Sequence, residues 1–274
     1  LLDNFYIVQQ AFRQIGEDLP APFYAELPKL ADGELKGYVR AYAIAREITA
    51  WAVNPLTFEQ IQMFVVAYQD VAPLTMGELW ALPALLRVVN LENLIWTLGQ
   101  LTGDSESAHI FAPEAAPTHT ADESHVANAI LNLRMLGTQD WKAFFEAVSR
   151  VEQMLRTDPA GVYPHMDFAT RNYYRQRIER LSPDTPADEE RVASTAIRLA
   201  AAAADRVCTH DRTAHVGYYL CDAGVAQLRR ETQLRPRLRD RIESFRQATP
   251  MPLYLAAVVT ITVAVLAVLG VALS

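Results

Sequence analysis

The sequence TMGELWALPALLRVVNLENLIWTLGQL, residues 75 to 101, decides the fold class. Thr75 and Glu78 have the spacing of a capping box, in which each side chain accepts a hydrogen bond from the other residue's backbone amide at a helix start. Residues 85 to 101 are strongly apolar. Pro83 lacks the amide donor that a helix interior needs, so we expect the helix to kink or restart there.

Helical patterns also dominate on both sides of this stretch. Apolar spacing or capping signals predict further helices over residues 5–15, 35–53, from Thr57, 123–135, 139–156, from Asp167 and from Thr185. Because no sustained run of β-branched residues alternates along the chain, we predict an all-α fold. Residues 103–121 lack periodicity, which predicts a linker or mobile loop between an N-terminal helical region, 1–102, and a second one, 122–226.

The C-terminal part of the sequence has the pattern of a membrane anchor. From Leu253 to Leu273 every residue is apolar or small apart from three hydroxyl groups, and this length matches the roughly 30 Å hydrocarbon core of a bilayer. We therefore predict a multi-helix soluble region followed by one transmembrane helix within residues 250–274, with the lipid bilayer as a partner. An arginine-rich segment, 227–249, is predicted to be a basic juxtamembrane helix on the cytoplasmic side.

Composition and motifs exclude several classes of function. The net charge of −7 argues against a nucleic-acid binder. Cys208 and Cys221 form no CxxC pair, and His210 and His215 miss the spacing that places two metal ligands on one helical face. The sequence contains no GxSxG, GxxxxGK[ST] or GxGxxG motif. We therefore expect no catalytic, cofactor or metal site in this segment.

Two stretches combine aromatic and basic residues at a density that could serve binding. Residues 167–175 and 215–220 could stack a sugar or pair a phosphate, and the candidate contacts to glucan or to another domain are Asp167, Arg171, Tyr174, Arg175 and Tyr218. The structural interpretation is favoured over binding. In it Asp167 caps a helix, Phe168 and Tyr174 pack inward, and both arginines extend outward to solvent.

A succession of short blocks carries a family resemblance. The blocks are Asp3-Asn-Phe-Tyr6, Glu26-Leu-Pro-Lys-Leu30, Pro73-Leu-Thr-Met-Gly-Glu-Leu-Trp-Ala-Leu-Pro83, Asp158-Pro-Ala-Gly161, Met166-Asp-Phe-Ala-Thr-Arg171 and His215-Val-Gly-Tyr-Tyr219. In this order, over most of residues 3 to 220, the sequence resembles the N-terminal region of bacterial cyclic β-1,2-glucan synthases.

The resemblance implies a very large enzyme of the bacterial inner membrane, with the soluble part of this segment in the cytoplasm. It implies a downstream glucosyltransferase domain that uses UDP-glucose with a divalent metal, Mg or Mn, and a phosphorylase-like domain in the same chain. None of the family's catalytic motifs falls within residues 1–274, so no catalytic residue is carried over.

Two functional hypotheses follow from these observations. The first is a non-catalytic helical segment of a membrane-bound cyclic β-1,2-glucan synthase that supports or positions the catalytic domain. The alternative is a membrane-tethered helical interaction scaffold unrelated to glucan synthesis.

Overall fold

The structure is a computed structural model, and it describes residues 4–51, 55–103, 123–182, 185–206 and 211–233. Twelve α-helices lie within these residues: α1 (Phe5–Asp18), α2 (Ala21–Glu26), α3 (Arg40–Trp51), α4 (Phe58–Gln69), α5 (Met76–Thr102), α6 (Glu123–Thr138), α7 (Trp141–Val148), α8 (Arg150–Leu155), α9 (Phe168–Leu181), α10 (Pro186–Ala204), α11 (Val216–Cys221) and α12 (Val225–Thr232). Short 3-10 turns precede α9, at Tyr163–His165, and α11, at Arg212–Ala214. An isolated antiparallel bridge joins Lys29 to Val39.

Helix α5 is the central element of the fold. The predicted capping box is confirmed, because Thr75 and Glu78 bond each other's backbone amides. The predicted restart at Pro83 is wrong, since α5 continues through it to Thr102. The neighbours Leu82 and Leu86 are almost fully buried, and this burial offsets the one backbone hydrogen bond that the proline removes.

Helices α3 and α6 pack along α5, and α1 lies against both α5 and α6. Buried polar groups fix the contact between α5 and α6. The Asn132 amide donates to the side-chain oxygen of Asn90 at 3.0 Å, and Arg87 donates to the carbonyl of Leu136 at 3.0 Å. Because an unpaired buried polar group is costly, these bonds favour one register between the two helices.

The main hydrophobic core draws residues from both the N-terminal and the C-terminal helices. Its largest fully buried side chains include Phe144 and Phe145 of α7 and several leucines of α5. Helix α10 packs against four other helices of the C-terminal region, α8, α9, α11 and α12. A smaller apolar cluster joins α1, α5 and α6.

Two of the predicted helices begin later than expected or are interrupted in the structure. The helix predicted over 35–53 begins only at Arg40, because the preceding residues turn through Gly37 and form the bridge at Val39. The helix predicted over 139–156 is divided at Ser149, whose backbone is extended. The Ser149 hydroxyl accepts a hydrogen bond from the Glu152 amide and caps α8.

The predicted fold class, an all-α region with a C-terminal transmembrane helix, is corrected by the structure. None of the helices within the described residues combines the length and the apolar character that crossing a bilayer requires. Helix α5 is 27 residues long, but it carries Glu78, Arg87 and Glu92 and packs inside the protein. The segments predicted as juxtamembrane and transmembrane helices lie outside the described residues from position 234 onward, as do residues 104–121 of the predicted linker.

Candidate functional site

Two of the sequence blocks, 158–161 and 215–219, meet around one buried carboxylate. Asp158 lies in the turn after α8 and is 5% exposed. One of its oxygens accepts from the Val216 amide at 2.9 Å, and the other accepts from the amides of Val162 at 3.1 Å and Tyr163 at 3.2 Å. Asp158 therefore ties the 158–161 turn and the following 3-10 turn to the start of α11.

His215 extends this connection to α9. Its Nδ1 atom lies 2.8 Å from Asp158 Oδ2, and its Nε2 atom lies 3.2 Å from the Tyr174 hydroxyl. Burial opposes ionisation of Asp158, but the hydrogen bonds from His215, Val216 and Tyr163 outweigh burial and lower the pKa of this carboxyl. Burial raises the pKa of the Tyr174 hydroxyl, which keeps its proton at neutral pH.

Gly217 allows Tyr174 to approach this closely. A side-chain carbon at position 217 would lie 2.7 Å from His215 Nε2 and 2.8 Å from the ring carbon of Tyr174 that carries the hydroxyl. Both distances are too short for non-bonded atoms, so only glycine fits without a shift of the neighbours. The order carboxylate, imidazole, hydroxyl is that of a catalytic triad, in which the carboxylate orients the imidazole and the imidazole accepts the proton of the hydroxyl. Here the hydroxyl packs against the backbone of α11.

A second cluster, of buried charges, also involves α9. Glu152 of α8 is fully buried, and Arg175 of α9 is 1% exposed. Their side chains are 2.7 Å apart, and Tyr163 donates its hydroxyl to the same Glu152 oxygen at 2.7 Å. Arg156 bonds the other Glu152 oxygen at 2.9 Å. The carboxylate thus has partners at both oxygens, which a buried charge requires.

The Arg175 guanidinium lies between two aromatic rings. Its central carbon is 5.0 Å from the ring centre of Phe145 and 4.8 Å from that of Phe168. Trp80 of α5 stacks on Phe145 with ring centres 4.4 Å apart. Two guanidinium nitrogens of Arg175 have no hydrogen-bond partner among the described residues, and the flanking ring faces offer electrostatic compensation for the cation.

The structure places the predicted contact residues as follows. Asp167 caps α9 and accepts from the Thr170 amide at 2.7 Å, as expected. That bond also lowers the pKa of the Asp167 carboxyl. Arg171 bonds Glu146 at 2.6 Å and is mostly buried. The Tyr218 ring contacts Arg212, whose guanidinium carbon lies 5.4 Å from the ring centre.

The structure corrects one part of the structural interpretation. Arg171 and Arg175 were both expected to extend to solvent. Arg171 is instead mostly buried against Glu146, and Arg175 is one of the largest fully buried side chains among the described residues. It is held inside because Glu152 supplies a countercharge and the aromatic rings supply contact area. Whether any of the five predicted residues contacts glucan stays a prediction.

Sequence reasoning missed Glu146, Glu152, Asp158 and His215 as parts of this site. A signal for Glu152 was present, because it lies at helical spacing within the apolar positions Val148 and Leu155. A charged residue on an apolar helix face predicts a buried partner of opposite charge. Nothing in the local sequence joins Asp158 to His215, which are 57 positions apart.

The described side chains also bear on metal binding. Across these ranges, no group of three or more His, Cys, Asp or Glu residues is placed to hold a metal ion. His109, His119, Cys208 and His210 lie outside the described residues.

Comparison with known proteins finds similarity to a bacterial glucan synthase. No family model matches the sequence. The chain is, however, similar to the cyclic β-(1,2)-glucan synthase NdvB of Rhizobium meliloti (strain 1021), with 27% identity over 269 aligned residues, covering 73% of this chain. The resemblance predicted from the sequence blocks is thereby confirmed. The chain spans only 9% of the length of this relative.

Proposed function

We propose that this chain is a non-catalytic helical part of a larger cyclic β-1,2-glucan synthase and that it positions the catalytic part of that enzyme. The similarity to the glucan synthase of Rhizobium meliloti supports the choice of enzyme. The observation that supports the non-catalytic role is that the charged side chains around α9 already have partners within the protein. Arg171, Arg175, Glu152 and Asp158 are each bound to other side chains or amides of the protein itself.

A catalytic acid, base or nucleophile has to reach a substrate atom. Glu152 and Arg175 are almost completely buried, and the Tyr174 hydroxyl is covered by Gly217 and bonded to His215. A cluster of this kind fixes helices relative to one another. This favours a rigid support over a reaction centre.

The remaining properties of the whole enzyme are part of the same proposal and rest on the family resemblance. The complete protein would transfer glucose from UDP-glucose with the help of Mg or Mn. This segment would pack against the glucosyltransferase and phosphorylase-like domains of the same chain. The enzyme would work at the bacterial inner membrane, with this helical region on the cytoplasmic side.

The test uses the full-length protein, labelled UDP-glucose and linkage analysis of the polymer. We expect a β-1,2-linked product, and another linkage would reject the choice of enzyme. The non-catalytic role is tested with Tyr174→Phe, which removes the hydroxyl of the Asp158–His215–Tyr174 chain but keeps the ring. We expect polymer yield per folded molecule to stay within about twofold of the unmodified protein.

Tyr173→Phe is the matched control, because Tyr173 is the neighbouring tyrosine and is half exposed. If Tyr174→Phe folds with unchanged thermal stability and abolishes synthesis while Tyr173→Phe does not, the site takes part in the chemistry. The non-catalytic role would then be refuted.

A further inference from the structure

A groove of about 560 Å³ is lined by residues that do not belong to the α9 site. It is bounded by the C-terminal end of α4, by the junction of α7 and α8, and by the first turns of α10. Its volume falls within the roughly 300–1,000 Å³ that small-molecule sites occupy in proteins.

Gln69 places a buried acceptor at this groove. The residue is 3% exposed, and its side-chain nitrogen donates to the carbonyl of Val148 at 2.9 Å. Because a carbonyl can only accept, this bond fixes which end of the amide carries the nitrogen. The other end, Oε1, has no hydrogen-bond partner among the described residues. A buried acceptor is costly to leave unpaired, so this oxygen favours a ligand that brings a donor.

The charges at the groove select against anionic ligands. Arg150 lies between two carboxylates, with its guanidinium 3.3 Å from Asp70 and 3.8 Å from Glu190. The same guanidinium donates to the carbonyl of Gln69. Two carboxylates and one guanidinium leave a net negative charge, which repels an anion. A neutral ligand avoids this penalty and leaves the ion pairs of Arg150 intact.

The remaining lining suits a ligand with both hydroxyl groups and C–H surfaces. Gln153 and Thr157 add an exposed amide and an exposed hydroxyl. Val66, Val148 and Met154 add apolar surface. Alternating polar and apolar contacts of this kind match a sugar ring, whose hydroxyls point outward around the ring and whose C–H groups lie on its faces.

We propose that this groove binds a neutral carbohydrate, a short stretch of glucan, through hydrogen bonds to Gln69 Oε1, Asp70 and Gln153. The carbohydrate class follows from the groove itself. The choice of β-1,2-linked glucan rests on the proposed function. Bound there, nascent polymer would be held by this helical segment while it is extended elsewhere in the enzyme.

The experiment measures binding of linear β-1,2-linked glucose oligosaccharides to the full-length protein by titration calorimetry. UDP and oligolysine serve as anionic and cationic probes. The test variant is Asp70→Ala combined with Gln153→Ala, because both side chains are exposed and can be removed without loss of folding. The matched control is Glu47→Ala combined with Gln9→Ala, which removes the same kinds of group from exposed positions on α3 and α1.

We expect the oligosaccharide to bind and the test variant to weaken binding by about tenfold, about 1.4 kcal/mol. The control should bind as the unmodified protein does, and both variants should keep its melting temperature. Absence of oligosaccharide binding, equal binding by the test variant, or competition for the groove by oligolysine or UDP would each overturn the proposal.

The synthesis assay separates the two proposals. A protein that makes β-1,2-glucan but does not bind oligosaccharide at the groove refutes the groove alone. A protein that makes a different polymer and binds that polymer at the groove refutes the proposed enzyme, and the carbohydrate site stands.

Discussion

Replacing Arg175 by methionine tests the buried charge cluster most directly. Methionine keeps much of the length of the side chain but removes the cation that lies 2.7 Å from Glu152 and between Phe145 and Phe168. Breaking a buried ion pair by removing one partner costs about 3–5 kcal/mol, because the other charge stays buried without compensation. Glu152 keeps Arg156 and the Tyr163 hydroxyl, so we expect a loss near the lower end, about 3 kcal/mol.

The measurement is urea unfolding at pH 7, with Glu152→Gln and the double variant Glu152→Gln/Arg175→Met completing a double-mutant cycle. We expect the double variant to be more stable than the sum of the two single losses predicts, since neither charge is then left alone. Arg198→Met is the control, because Arg198 pairs with Glu231 at the surface and such pairs contribute about 0–1 kcal/mol. A loss below about 1 kcal/mol for Arg175→Met, or additive losses in the cycle, would refute the reasoning.

Two further predictions concern α5 and the residues at its start. Thr75→Ala should destabilise the protein by about 1 kcal/mol in urea unfolding, because the hydroxyl that caps the Glu78 amide is lost. Thr75→Ser keeps a hydroxyl and should restore most of the lost stability. Equal stability of Thr75→Ala and Thr75→Ser would contradict the capping role. Burial raises the pKa of Glu189, whose carboxylate accepts from the Met76 amide, to about 8 from its ordinary 4.5. Between these two pH values the unfolded state has released the proton and the folded state still holds it, so stability should fall as pH rises through this window, by on the order of 4 kcal/mol. Glu189→Gln cannot ionise and should flatten that decline; parallel pH profiles for the two proteins would show that Glu189 is not its source.

The helical character of the protein could be predicted because its signals are local. The capping boxes at Thr57 and Thr75 and the cap at Asp167 are contained within four residues each, and the structure confirms all three. The break at Ser149 was missed, although Ser149 and Glu152 have the same four-residue capping spacing and the Ser149 hydroxyl accepts from the Glu152 amide. The apolar pattern continues across the break and favoured one continuous helix. Glu146 and Glu152, on either side of it, contact a helix more than twenty residues away.

The candidate site was predicted only in part, for a similar reason. The sequence blocks include the start of α9 and the start of α11, and both helices contribute to the site. The pairing of Asp158 with His215 joins segments distant in sequence, and the burial of Arg175 depends on Phe145 and Glu152 from other helices. Tertiary packing therefore overrode the general expectation that an arginine on a helix extends to solvent.

The position of the ion pairs explains why a non-catalytic module would retain a cluster that is costly to bury. Glu146 lies in the last turn of α7 and Glu152 belongs to α8, so the two carboxylates lie on opposite sides of the break at Ser149. Arg171 and Arg175 of α9 each approach both of them, at 2.6 to 3.9 Å. Two arginines from one rigid helix thereby fix the angle between α7 and α8. An apolar cluster of equal volume could match this stability but would tolerate several angles. Since the groove at Gln69 is bounded by this same α7–α8 junction, the angle that the arginines set also determines the shape of the groove.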